Sequence, residues 1–417
     1  MQQSNSLVSF FNLGKYKYLL ASIGPGLVVM LADTEAGSVI TAAQSGAQWG
    51  HRLLILQFLL IPILYVVQEL AVRIALSTGK GYSELVREHF GRFVSFLSMT
   101  ILIISCIGAL ITEMSGLGGV GQLFGVPLWI TITMLILLIL VMITTGSYHS
   151  VERTAVLLGI FELSFLVVAV KSHPDTKIIF SQITDIPLTN HDYLYLVAAN
   201  IGTSIMPWTV SYQQSAIVDK KLGIQHLKIA RFDTLIGAII CQIVTASILI
   251  AAADAFGYHR QVSQLENIPQ IAIAFTDALG SGFGKIVFAL GLTGGALVAT
   301  IVVCLTAAWS IGETIGLKHS LEKHPLDAPL FYGFFTIMLI ISGILVVLHP
   351  NLIKLTIAIG VLNAFFLPII LFFLYHIATT ELPSYYKLKG KSAIFTVAIF
   401  FLISIASVGS SLLGIIS

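Results

Sequence analysis

Asp33 and Glu35 lie in the middle of an apolar stretch, Ile23-Gly24-Pro25-Gly26-Leu27-Val28-Val29-Met30-Leu31-Ala32-Asp33-Thr34-Glu35-Ala36-Gly37-Ser38, and no basic residue occurs between Lys17 and Arg52. A charge at membrane depth costs about 2.5 kcal/mol or more and is retained mainly where it faces a pathway or a partner. The small neighbours Ala32, Ala36, Gly37 and Ser38 leave backbone open beside the acids. This pattern reads as a broken helix that binds a cation. A second interruption follows in Asn200-Ile201-Gly202-Thr203-Ser204-Ile205-Met206-Pro207-Trp208. Pro207 removes one backbone donor and clashes with the preceding turn. Carbonyls near Thr203 are then free to turn toward a cavity, which membrane proteins tolerate where the backbone is buried in protein or lines water. Met206 adds a thioether. Taken alone, this segment is equally a proline-kinked helix with a core methionine; the pairing with Asp33 favours a site. Oxygen ligands alone suit Mg²⁺ or Ca²⁺, and a thioether shifts the preference toward softer divalent ions. The eleven histidines all fall in loops or near span ends, which argues against a zinc-type histidine cluster.

The elements that must position these residues are membrane helices. The 417 residues are 56% apolar and 10% charged, with a mean hydropathy of +0.94. A soluble domain carries about 25% charge, so the chain is a polytopic membrane protein. A net charge of +2 gives no reason to expect a nucleic-acid partner. Cys106, Cys241 and Cys304 sit inside apolar runs, without metal-ligand spacing. The first apolar segment is long and acidic, unlike a signal peptide. With about 20 apolar residues per span, eleven spans are expected, at residues 18–45, 53–76, 94–123, 128–144, 154–170, 193–218, 232–256, 284–311, 330–348, 352–378 and 392–416. Polar loops are expected over 171–190 and 257–267, with a short helix at 268–279. The interruptions in spans one and six lie five spans apart. That spacing predicts two five-helix halves of opposite orientation, residues 18–170 and 191–378, with an extra helix at 391–417. Alternate loops, beginning with the N-terminal segment, hold 16 of the 22 Lys and Arg residues. The positive-inside rule then places the N-terminus in the cytoplasm and, with eleven spans, the C-terminus outside.

Several stretches resemble the NRAMP family of divalent metal transporters, which have a LeuT-like fold. They are Gly24-Pro25-Gly26, Gln44-Ser45-Gly46-Ala47-Gln48-Trp49-Gly50, Thr78-Gly79-Lys80, Arg87-Glu88-His89-Phe90-Gly91, Leu123-Phe124-Gly125-Val126-Pro127-Leu128-Trp129 and Arg231-Phe232-Asp233-Thr234. The resemblance runs over nearly the whole chain. The family's Asp-Pro-Gly-Asn stands here as Asp33-Thr34-Glu35-Ala36, and its Met-Pro-His as Met206-Pro207-Trp208. The resemblance implies metal ligation by Asp33 and Met206, by the carbonyls of Met30 and Thr203, and by Asn363 in place of a family glutamine. It implies that Glu113 lies on a proton route.

The departures bear on selectivity and coupling. Ala36 has no side-chain ligand where the family has asparagine. Trp208 replaces a proton-linked histidine and cannot accept a proton, and Leu110 replaces an aspartate three residues before Glu113. Glu35 either joins Asp33 at the ion or serves as a recruiting charge in a vestibule. The expected function is import of a divalent metal cation, Mn²⁺ or Fe²⁺ ahead of Mg²⁺, by alternating access. The metal is a substrate rather than a cofactor, and protons are a candidate second substrate. An amino-acid transporter of the same fold ranks lower, because two acids in the break would repel a substrate carboxylate. A metal sensor ranks lower for want of a signalling domain. No nucleophile–base pair points to an enzyme. Elsewhere, Glu69 and Arg73 read as a helix-face ion pair near the cytoplasmic end, with an inner gate as the alternative, and Glu162 as structural. The stretch 84–92 reads as a solvated helix. Gly291, Gly294, Gly295 and Ala296 read as a close helix contact. Tyr212, Gln213 and Gln214 are equally inner-path lining and packing.

Overall fold

The computed structural model describes residues 25–145, 157, 159–257, 264–316, 329–349 and 351–415. The expected starts of the first and fifth spans therefore lie outside the described residues, as do Lys15, Lys17, Arg153, Arg260, Lys318 and Lys323 of the loop-charge argument.

The first apolar stretch forms two helices, α1 (Pro25–Asp33) and α2 (Ala36–Trp49), separated at Thr34 and Glu35. After it come α3 (Leu54–Thr78), α4 (Tyr82–Leu123) and α5 (Leu128–Thr145). A 3₁₀ turn at Ile160–Leu163 leads into α6 (Ser164–Lys171), and α7 (Thr176–Thr184) stands in the stretch read as a polar loop. The second interrupted segment forms α8 (His191–Ser204) and α9 (Pro207–Asp219). Next is α10 (Leu227–Ala252), which ends in a π-turn at Ala253–Gly257. The remaining helices are α11 (Ile268–Leu279), α12 (Ser281–Ile315), α13 (Pro329–Leu348), α14 (Leu352–Thr380) and α15 (Gly390–Ile415). Among the described residues, seven helices are long and apolar enough to cross a bilayer unaided: α3, α10, α12, α13, α14, α15 and the longer α4.

The third span, expected from residue 94 after a separate helix over 84–92, follows a break at Gly91 (φ 81°, ψ 172°), where the backbone leaves helical geometry within Tyr82–Leu123. One expectation needs correction. The polar loop holds α7 because the Asp175 side chain accepts the Lys177 N–H at 2.8 Å, capping a one-sided helix too short to register as a span.

Local chemistry sets the helix starts. Asn190, Asn267 and Asn351 each cap the helix that follows with their side chains. Pro207 opens α9, where its missing N–H costs nothing. The α1 start is capped from outside the element: Gly26 N–H donates to Asp233 Oδ2 on α10 at 2.9 Å. The two broken pairs sit at the centre, wrapped by α3, α4, α10, α12 and α14. Every described residue of α9 from Pro207 to Ile217 is buried. The outer helices turn large apolar side chains outward, including Phe96 and Leu97 on α4, Met134 and Leu137 on α5, Ile344 on α13, and Phe401 and Leu402 on α15. That belt fits contact with hydrocarbon, where backbone groups must be satisfied within the helices.

Candidate metal site at the two helix breaks

The two breaks have different causes. At the second, the residue before proline is pushed out of the helical region, and Met206 is extended (φ −91°, ψ 146°). At the first there is no proline. Glu35 is extended (φ −81°, ψ 174°) and its own side chain caps nothing. The opening N–H of α2 is satisfied instead by α4, with Ala36 N–H donating to Glu113 Oε2 at 3.2 Å. Gly295 on α12 makes room on the other side. A Cβ there would stand 2.5 Å from the Thr34 carbonyl and 3.0 Å from Glu162 Oε1.

Ser38 joins the breaks. Its hydroxyl lies 2.8 Å from the Asp33 carbonyl and 3.1 Å from the Thr203 carbonyl, a donor shared between two acceptors 170 residues apart in sequence. The carboxyl ends of α1 and α8 therefore meet at one place. Each end carries the negative pole of its helix and carbonyls without helical partners. Asp33 is fully buried there, and neither of its carboxylate oxygens has a hydrogen-bond partner among the described residues. Two helix C-termini and an unpaired carboxylate make a place for a cation.

Three further acids crowd the break. Glu35, Glu113 and Glu162 are each buried to within 1%. The Glu35 carboxyl lies beside that of Glu113. Neither Glu162 oxygen has a partner meeting hydrogen-bond geometry among the described residues. No lysine, arginine or histidine forms an ion pair with any of the four acids among the described residues. Glu162 is thus a neighbour of the break. Its position depends on the approach of the 3₁₀ turn to α12, which no local pattern encodes; the one available signal was an acid inside an apolar run.

The other expected residues divide. Met206 is fully buried, and its sulfur accepts the Trp208 indole N–H at 3.1 Å. Residue 208 therefore engages the thioether directly. The Met30 carbonyl accepts the Thr34 N–H and hydroxyl, both at 3.3 Å, long contacts at a fraying helix end. Asn363 is buried on α14, and its Oδ1 accepts the Ser105 hydroxyl at 2.7 Å. It lies one turn beyond Gly360, against which Thr203 packs. Among the described residues, no three His, Cys, Asp or Glu side chains are gathered as a ready metal cage. Ser38 was missed in the sequence because a serine in a helix start has no local feature that marks it as a bridge.

Both ends of the path through the breaks are tied. On the α1 side, Glu69 on α3 accepts Arg73 at 2.6 Å and Arg231 on α10 at 2.7 Å, so it is an interhelical clamp rather than only a helix-face pair. Glu313 on α12 accepts the Ser83 N–H at 3.0 Å and the Ser215 hydroxyl at 2.6 Å. On the α2 side, Asn200 links Ser45 and Gln57, and Gln44 accepts the Leu265 N–H at 3.0 Å. Between the ties, Gln68, Ser211, Gln213, Gln214 and Gln242 keep buried polar atoms without protein partners among the described residues.

Broken central helices with an unpaired acid between them define a membrane protein of the LeuT-fold transporter class. Residues 26–412 match the family described as natural resistance-associated macrophage protein-like, and the chain belongs to it. Among curated relatives, it is 25% identical over 304 residues to the divalent metal cation transporter MntH of Brucella suis, covering 70% of this chain and 66% of that protein. It is 26% identical to MntH of Agrobacterium fabrum, covering 60% of this chain and 57% of that one. The aligned part thus spans less than two thirds of these relatives. Among solved structures, the Eremococcus coleocola manganese transporter superposes with a TM-score of 0.77 at 17% identity, over 98% of this chain and 88% of that one. Mhp1, a nucleobase–cation-symport-1 family transporter, superposes with a TM-score of 0.60 at 12% identity, over 94% and 91%. At these identities the likeness concerns the fold.

Proposed function

We propose that the protein is a secondary transporter that imports a divalent metal cation across the cytoplasmic membrane by alternating access, with Mn²⁺ or Fe²⁺ favoured. The observation that carries this reading is the fully buried Asp33, both oxygens unpaired, beside three more buried acids with no basic partner among the described residues. An uncompensated buried charge is strongly destabilising, so the cluster calls for cations or protons. The family membership and the names of the relatives agree with a metal. Asp33 and Met206, with the Met30 and Thr203 carbonyls, would hold the ion, and Asn363 would approach as α14 moves. The halves 18–170 and 191–378 would rock about the breaks, with 391–417 at the periphery, across eleven spans. The charge asymmetry places the N-terminus in the cytoplasm and the C-terminus outside.

A Mg²⁺ carrier is the second reading, favoured by one contact. The indole N–H of Trp208 occupies a lone pair of the Met206 sulfur and makes it a poorer soft ligand. A thioether has two lone pairs, and the second keeps the transition metals ahead. Protons, if carried, would travel through Glu35, Glu113 and Glu162, since the indole of Trp208 has no free lone pair. Uptake of Mn²⁺, Fe²⁺, Mg²⁺ and Ca²⁺ into proteoliposomes, with internal pH followed, tests the reading. Saturable Mn²⁺ and Fe²⁺ flux exceeding that of Mg²⁺ is expected. Absence of flux of every divalent ion would overturn it.

A further inference from the structure

We propose a second divalent-metal site, separate from the breaks, formed by His51 and Asp254 in the cavity at the far end of α2. That cavity has a volume of about 670 Å³ and is shared by the α2 exit, the end of α6, the π-turn after α10, and α11. His51 stands roughly 20 Å from Asp33, from the length of a fourteen-residue helix at 1.5 Å per residue.

The orientation of the imidazole is fixed. Gln182 Oε1 accepts the His51 backbone N–H at 2.8 Å and lies 3.1 Å from Nδ1. The oxygen can only accept, so Nδ1 carries the ring proton. Gly50 makes this contact possible: its φ is 60°, and a Cβ there would stand 2.5 Å from Gln182 Oε1. In the neutral ring Nε2 is then left with a bare lone pair. The His51 side chain is only 4% exposed, and Nε2 has no hydrogen-bond partner among the described residues. It faces Asp254 Oδ1 at 3.5 Å, while Asp254 Oδ2 is held by the Ser172 hydroxyl at 2.8 Å.

Two acceptors therefore face each other across a gap too long for a good hydrogen bond. The spacing suits two ligands of one ion. Ligands at 2.0–2.2 Å from a metal and about 90–110° apart stand roughly 3.0–3.5 Å from each other. Gln182 and Ser172 hold the ligands as outer-shell partners do in metal sites. Imidazole nitrogen with a carboxylate oxygen selects divalent transition ions over Mg²⁺. Among the described residues, the remaining charged and titratable groups of the cavity are Lys171, His173, Asp175 and Asp277. With Asp254 that gives three acids to one lysine, a wall that attracts cations. In the orientation proposed above, this cavity is the outer mouth, so the site would load ions for Asp33. Only the naming of that side rests on the transport reading.

Mn²⁺ titration of the full chain in lipid nanodiscs by calorimetry tests the site. Asp33→Ala should still bind one Mn²⁺, and equimolar Mg²⁺ should not displace it. Adding His51→Ala or the near-isosteric Asp254→Asn to Asp33→Ala should weaken that binding at least tenfold. Adding Gln182→Ala, which leaves both ligands in place, should weaken it severalfold. Monodispersity and thermal transition establish that each variant is folded, and Asp254→Asn carries the test should His51→Ala fold poorly. If wild type binds Mn²⁺ but Asp33→Ala binds none, the second site is excluded and the transport reading stands. Binding in Asp33→Ala that is indifferent to His51 and Asp254 equally overturns the assignment.

Discussion

At the residue scale, the contact between Trp208 and Met206 decides how soft the central site is. Their side chains meet although they are two apart in sequence, because Met206 is extended and Trp208 lies in the first turn of α9. Removing the indole donor frees the sulfur. Trp208→Phe is expected to raise the preference for Mn²⁺ over Mg²⁺ about fivefold, corresponding to roughly 1 kcal/mol for one hydrogen bond, read as the ratio of uptake KM values. Met206→Ala should abolish the preference; an unchanged ratio in both variants would remove sulfur from the ligand set. Glu113 has a separable role as the external cap of α2. Glu113→Ala should lower stability by about 1–2 kcal/mol through loss of a cap, and Glu113→Gln, which keeps an acceptor, should lower it less. Thermal unfolding in detergent measures both. Asp33 and Met206 were legible in the sequence because a charge and a proline interrupt apolar runs. Ser38 and Glu162 were not, since each acquires its role from a helix distant in sequence.

At the scale of elements, the broken pairs are held by clamps that the sequence only half declares. Glu69 and Arg73 are visible as a pair four residues apart, whereas Arg231 reaches the same carboxylate only after α3 and α10 pack. Glu69→Ala should loosen the α1 side of the path. Cys241, buried on α10 close to Asp33 and Thr34, is a native reporter, and its reaction with a small thiol reagent should accelerate in this variant. An unchanged rate would mean that the clamp is no gate. Helix approach is set by small residues. A Cβ at Gly202 would stand 1.9 Å from the Gly360 carbonyl, a backbone atom with little freedom to yield. Gly202→Ala is therefore expected to cost about 1–3 kcal/mol from overpacking, seen as a lower midpoint of thermal unfolding and reduced flux. The bounds of most long helices among the described residues were legible from hydropathy alone. The existence of α7 was not, because an Asp175 cap marks a helix too short for a span-length window.

At the scale of the whole molecule, a belt of exposed apolar side chains surrounds a core in which acids, glutamines and helix ends are buried together. Apolar excess and spacing were sufficient to read an all-helical membrane fold with two broken helices. The convergence of four acids at one break required tertiary contacts. The proposed eleven spans would put the termini on opposite faces, so a C-terminal tag on intact cells should be open to an impermeant reagent and an N-terminal tag protected. Tags on one face would contradict the eleven-span count. The central claim, that Asp33 holds the transported ion, is tested most directly by Mn²⁺ uptake into proteoliposomes carrying wild type or Asp33→Ala at matched protein content. Saturable uptake by wild type and a reduction of at least tenfold in the variant are expected; equal uptake by the two would contradict the claim.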